Sequence, residues 1–245
     1  MHPILIDGDA EILLVADHAS DHAPADIDLG IDPAWLAEHI AIDIGTDALT
    51  RALAARLNAS AVIAGVSRLV IDLNREPEAA GLIPAVSDGR VVPGNQTLDP
   101  ADRAARIERF HVPYHDAVAR LAQRAGTQLL VSVHSFTPQL ATRPDLARPW
   151  PVGILYNRDE RAARVAIDHL RAKGLLVGDN EPYSGQVLNY TMNRHAEANG
   201  LPYINIEVRQ DLLSTLGQID EWADLLAATI KATVAGLADT SVAAQ

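Results

Sequence analysis

Apolar runs of strand length alternate along this chain with longer stretches of helical periodicity. Residues 12–17, 60–65, 67–73, 128–134, 151–157 and 202–209 carry the compact, β-branched-rich pattern of buried strands. Between them, 33–57, 100–125, 159–173, 186–199 and 216–237 read as helices. Pro33 stands at a first-turn position, and Gly174 and Gly200 stand where helix-ending glycines belong. Gly45 is placed to divide the first stretch, and Pro113 to kink the second. The alternation predicts an α/β protein, a three-layer α/β/α sandwich around a mixed, largely parallel sheet. Residues 1–238 are expected to form a single catalytic domain and 239–245 a small, polar, flexible tail. The longest stretch without a pattern, 76–99, is rich in proline and glycine and reads as a lid or pocket wall.

Two strands end on imidazoles. The run Ile12-Leu13-Leu14-Val15-Ala16 is followed by Asp17-His18, and Leu129-Leu130-Val131-Ser132-Val133 by His134. Open α/β sheets bind ligands at the carboxyl ends of their strands, so both histidines are carried to one rim. Asp21, three residues after His18, offers a carboxylate from the same turn. His18, Asp21 and His134 are therefore the candidate metal ligands, a two-nitrogen, one-oxygen set of catalytic type. The plain alternative is a pair of hydrogen-bonded rim histidines. His18/His22 and His111/His115, each four apart, are rival pairs, and Pro113 interrupts the second.

The strand at 202–209 alternates Ile204, Ile206 and Val208 with Asn205, Glu207 and Arg209. Glu207 is thus an acid within a buried strand, suited to move a proton, or else simply paired with Arg209. Alternation along 67–73 puts Arg68, Asp72 and Asn74 on one face, with Arg75 at the exit. Guanidinium and amide groups together make a carboxylate clamp. The competing reading is an internal salt bridge.

Composition narrows the chemistry. The 245 residues contain no cysteine, which removes thiol catalysis and thiolate-held zinc. A net charge of −12 speaks against a nucleic-acid partner. No apolar run approaches the roughly 18 residues of a membrane helix, and the start of the chain lacks a secretory pattern. A cytoplasmic location is expected. There is no Gly-x-Ser-x-Gly elbow and no phosphate-binding glycine loop.

The blocks Val15-Ala16-Asp17-His18-Ala19-Ser20, Asp43-Ile44-Gly45, Ser67 to Arg75, Val133-His134-Ser135-Phe136-Thr137-Pro138 and Ile206-Glu207-Val208-Arg209 resemble the N-formylglutamate amidohydrolase family. The family is similar to the zinc carboxypeptidases and to the aspartoacylase and succinylglutamate desuccinylase group. The resemblance implies a zinc-exopeptidase-like fold and hydrolysis of N-formyl-L-glutamate to formate and glutamate, in histidine breakdown. It implies Zn2+, or another divalent ion, on His18 and His134, with Asp21 where the zinc carboxypeptidases have Glu. It also implies Glu207 as proton shuttle, and Arg68, Asn74 and Arg75 holding carboxylates or polarising the scissile carbonyl. Tyr183 and Gly185 fall in a pocket loop, and Arg209 would orient Glu207 or bind a second carboxylate. The partner is a small N-acyl amino acid. Two alternatives stay open: an amidase for other N-acyl amino acids or small peptides, and a carboxylate-binding relative without turnover.

Overall fold

The computed structural model describes residues 2–8 and 11–243. Its strands are β1 (Ile4–Ile6), β2 (Ile12–Ala16), β3 (Ser60–Ile63), β4 (Val86–Ser87), β5 (Arg90–Val91), β6 (Leu129–Phe136), β7 (Val152–Leu155), β8 (Val177–Asp179) and β9 (Tyr203–Arg209). Its α-helices are α1 (Thr46–Leu57), α2 (Pro93–Gln96), α3 (Pro100–Arg106), α4 (Val112–Ala122), α5 (Arg161–Ala172), α6 (Tyr190–His195) and α7 (Leu216–Ala243). Seven strands form one mixed sheet in the order β1-β3-β2-β6-β9-β7-β8. The four central strands, β3, β2, β6 and β9, are parallel to one another, while β1 and β7 run against their neighbours β3 and β9. Helix α1 packs on β2, β3 and β6, α5 on β7, β8 and β9, and α7 joins α1 to α5. Helix α4 packs on β2, β3 and α6. This is the α/β sandwich that the alternation of elements predicts.

The middle strands are apolar because both of their faces are covered. Every residue of β2, β3 and β6 is buried. Polar residues enter this core in one register. Ser132 pairs with Asn205 and His134 with Glu207 across β6 and β9, while Val131–Ile204 and Val133–Ile206 alternate with them. Period-two geometry thus carries the polar pairs to one face near the carboxyl ends of the strands.

Two expectations need correction, and the division expected at Gly45 is observed. Residues 67–73 are not a strand. Ser67 Oγ accepts from the Leu69 amide at 3.2 Å and donates to the Ala41 carbonyl at 2.8 Å. The Ser67 carbonyl accepts from Val70 and Ile71. A serine hydroxyl that satisfies nearby backbone groups offers the chain a turn in place of a ladder. Leu69, Val70, Ile71 and Leu73 are still buried, so the apolar run is real but its period is not two.

The stretch 33–57 is split. A 3-10 turn covers Pro33–Ala37 and α1 begins at Thr46. Gly45 divides them at φ 83°, a left-handed conformation in which a side chain is strained and would also meet Leu213 at 2.5 Å.

Residues 76–99 are ordered, with a 3-10 turn at Ala80–Leu82, the β4–β5 hairpin and α2. Buried Asn95 pins them, donating to the carbonyls of Leu69 and Pro84 and accepting from Arg106 Nη1 at 2.8 Å. Pro113 perturbs its helix as expected, and the preceding segment Ile107–His111 is wound as a π-turn. Of the tail, 239–243 continue α7, and 244–245 lie outside the described residues. No described helix is long and apolar enough to cross a membrane.

Candidate active site

A cavity of about 220 Å3 opens at the carboxyl ends of β2, β6 and β9. It has room for several waters and suits a small ligand. His18, Arg68, Asn74, Arg75, His134, Tyr183 and Glu207, all named from the sequence, line it together. Arg209 and Asp21 do not. Arg209 turns away to pair with Asp211 at 2.8 Å, because it lies where β9 meets the surface. Asp21 is exposed, on the chain leading away from the sheet. The carboxylate that stands between the two histidines is Asp43, in the turn before α1. His18, Asp43 and His134 are buried and place one ligand atom each within 4.8 Å of one another.

One oxygen, Asp43 Oδ2, lies 2.8 Å from His134 Nδ1 and 3.4 Å from His18 Nδ1. The far nitrogens of both rings meet further carboxylates. His18 Nε2 is 2.7 Å from Asp72 Oδ1, and His134 Nε2 is 3.3 Å from Asp17 Oδ2, an ion-pair distance without hydrogen-bond alignment. Each imidazole thus has one nitrogen backed by a carboxylate and the other aimed at Asp43, the arrangement that orients metal-ligating histidines. Asp17 is itself held by Tyr114 Oη at 2.6 Å and Thr191 Oγ1 at 3.0 Å. Arg68 bridges the remaining oxygens, with Nη1 donating to Asp43 at 3.1 Å and Nη2 to Asp72 at 3.0 Å.

The electrostatics favour positive charge at this point. Burial pushes both imidazoles towards neutrality, and Arg68 opposes charge on His18. The carboxylates overcome this: Asp72 and Asp43 raise the pKa of His18, and Asp17 and Asp43 raise that of His134 well above the ordinary value. Asp43 and Asp72 are held far below the usual carboxylate range, because the imidazoles and Arg68 outweigh the cost of burial. His18 Nδ1 is buried with no hydrogen-bond partner among the described residues. Two imidazoles and an ionised carboxylate with converging, partly unpartnered atoms are a donor set that fits a divalent ion such as zinc.

Glu207 differs from these acids. It sits on β9 directly opposite His134 on β6, and its Oε2 is buried without a partner. Burial raises its pKa to about 7; His134 counteracts this and Asp43 adds to it. Asn74 Oδ1 accepts from the Thr191 amide at 3.0 Å, which commits the oxygen and leaves the amide nitrogen to donate to a ligand. Arg75 is half-buried, its Nε 3.8 Å from Asp72.

Tyr183 is delivered by the loop after β8. Gly153 and Gly178, cross-strand neighbours, make room for that loop: a Cβ on either would meet the Glu181 carbonyl oxygen at 2.0 or 2.4 Å. His39 also lines the cavity, its Nε2 3.0 Å from Asp88. Asp88 lies in the hairpin turn between β4 and β5. The segment 76–99 therefore supports the pocket from behind, and none of its residues lines it.

A family model for N-formylglutamate amidohydrolase matches residues 10–214. The chain belongs to the N-formylglutamate amidohydrolase family. Membership marks it as a hydrolase acting on amide bonds. The fold agrees. A gene product from Agrobacterium tumefaciens of known structure is 32% identical, with a TM-score of 0.91 over 96% of each chain. An N-formylglutamate amidohydrolase from Ralstonia eutropha is 22% identical, with a TM-score of 0.76 over 95% of this chain and 97% of its own. No curated protein matches the sequence. Within this family member, Asp43 was the residue that spacing arguments missed. Its signals were an acid beside a helix-dividing glycine and its place in one of the matching blocks.

Proposed function

We propose that this N-formylglutamate amidohydrolase family member hydrolyses N-formyl-L-glutamate to formate and L-glutamate, as one catalytic unit that uses a zinc ion. The observation that carries the proposal is the convergence of His18, Asp43 and His134 in the same cavity as Glu207. His18, Asp43 and His134 would hold the ion. Zinc so bound supplies Lewis acidity to a water molecule and to an amide carbonyl.

The protein's own residues do the rest. Glu207 takes a proton from the attacking water and returns it to the departing amide nitrogen, and a pKa of about 7 lets one carboxyl serve as both base and acid. Asn74, through its free amide hydrogens, and Arg75 bind a substrate carboxylate. Arg68, fixed by Asp43 and Asp72, holds both acids in place. From the cavity wall its remaining N–H groups face the carbonyl oxygen as charge develops there. The water-poor, buried setting strengthens each of these contacts.

Formate release from N-formyl-L-glutamate, measured alongside the metal content of the purified protein, tests the reading. Glu207→Gln keeps the shape and removes the proton transfer. It is expected to retain the metal and lose at least about 100-fold in turnover. Turnover at the wild-type level in that variant would remove Glu207 from the reaction.

A further inference from the structure

We propose that Arg148, a guanidinium buried behind the cavity wall, makes the site select substrates with a second carboxylate, acting through Tyr183. The proposal rests on the hydrolase reading of the cavity and names a selectivity element within it.

Arg148 lies in the connection between β6 and β7 and is only 5% exposed. Its hydrogen bonds go to neutral acceptors. Nη1 donates to the Thr137 carbonyl and to the Tyr183 phenol oxygen, each at 3.0 Å. Its Nε is buried with no partner among the described residues. The guanidinium lies 4.8 Å from the centre of the Tyr183 ring and 5.9 Å from that of Phe136. Ring faces compensate a cation only in part. A buried charge is costly unless paired and fully hydrogen-bonded, yet this acidic protein supplies no carboxylate to Arg148 among the described residues. The nearby arginine Arg68, by contrast, is neutralised by two.

Thr137 and Tyr183, which accept from Arg148, and Phe136, whose ring faces it, all line the cavity. The unpaired charge therefore stands one layer behind that stretch of wall, and the counter-charge it lacks can come from a ligand in the cavity. Tyr183 transmits the effect. Its oxygen accepts from Arg148, so its own O–H is free to donate. Burial raises the pKa of the phenol, as does the neighbouring Glu207, and the proton stays on oxygen. A phenol that accepts from a cation is a stronger donor, and from the cavity wall it suits an anionic ligand. Asn74 and Arg75 come from a different loop, so the cavity has two independent anion-binding elements. Glutamate carries two carboxylates. Arg148 is thus a positioning residue, and Tyr183 is the group that touches substrate.

Binding of glutarate to the metal-loaded full-length protein, measured by calorimetry, tests the proposal without turnover. Arg148→Met is expected to weaken it by about tenfold or more, the loss typical of a hydrogen bond to a charged group. Arg148→Lys should recover part of that loss, and Tyr183→Phe should reproduce it. In turnover, Arg148→Met should raise KM for N-formyl-L-glutamate, with a smaller loss on N-formyl-L-glutamine. Unchanged glutarate binding in Arg148→Met, or equal losses on both substrates, would overturn the assignment. Should Arg148→Met fail to fold, Arg148→Lys and Tyr183→Phe carry the same test, and unchanged glutarate binding in Tyr183→Phe overturns it. If the wild-type protein binds glutarate in the Arg148-dependent way but releases no formate, the hydrolase reading fails and the selectivity element stands.

Discussion

Five histidines, nearly excluded from water, fall into two clusters that the chain treats in opposite ways. His18 and His134 meet carboxylates on both ring nitrogens, and their pKa values are raised. His111, His115 and His195 meet backbone carbonyls and one another. His115 Nε2 donates to the Leu73 carbonyl at 2.9 Å, so its Nδ1 must accept, and His195 Nε2 lies 2.9 Å from it. His111 Nε2 donates to the Arg75 carbonyl at 3.0 Å. Burial lowers the pKa of all three, that of His115 to about 2 and that of His195 to about 4. The second cluster is a neutral scaffold that grips the backbone on either side of Asn74. Histidine spacing does not separate a metal site from such a scaffold. The partner of the second nitrogen does.

The sharpest way to break this contrast is Asp43→Ala. It removes the carboxylate between the two imidazoles and is expected to abolish metal binding and lower formate release by several powers of ten. Metal analysis of the purified variant gives the answer, and normal metal content would show that the centre lies elsewhere.

Acid should act on the other cluster. An unfolded histidine titrates near 6.5. The folded values of about 2 and about 4 are depressed, so the unfolded chain takes up protons first as pH falls. The stability contributed by these neutral imidazoles is full above pH ~6.5. It is lost as pH falls towards 4 for His195 and towards 2 for His115. Between pH 6.5 and 5 each accounts for about 2 kcal/mol. Glu207, with its raised pKa, gains stability over the same interval, so the loss is read as a difference. Urea midpoints at the two pH values should fall further in the wild type than in His115→Leu, and equal falls would mean that the cluster is not neutral when folded.

His115→Leu comes next. The Leu73 carbonyl and His195 each lose a partner, at about 1–3 kcal/mol per stranded group. Asn74 is loosened, so KM should rise while the metal content stays normal. The same variant should lose less stability on acidification than the wild type. Loss of metal in His115→Leu would merge the two clusters into one.

The smallest effect is expected for Asp21→Asn, with metal content unchanged and turnover within about twofold, as for an exposed side chain away from a buried feature. A large loss of metal would restore Asp21 as a ligand and displace Asp43.

The local patterns of the chain already determined the strands β2, β3, β6, β7 and β9, the burial of His18, His134 and Glu207, and the meeting of all three at one sheet edge. Each follows from side-chain period and from the position of a polar residue in an apolar run, and these are properties of neighbouring residues. The edge strands β1 and β8 and the β4–β5 hairpin are short and gain their stability from partners far along the chain, so no local pattern announced them. Residues 67–73 were misread because burial on all sides erases the periodicity that separates a strand from a turn. Only the tertiary structure could place Asp43, rather than Asp21, beside the two histidines and join Asp17, Asp72 and Arg68 to them. These contacts link residues up to 117 positions apart, the separation of Asp17 from His134. They are decided by how α1 and the turn at Ser67 dock against β2 and β6, and a linear spacing rule contains no information about docking.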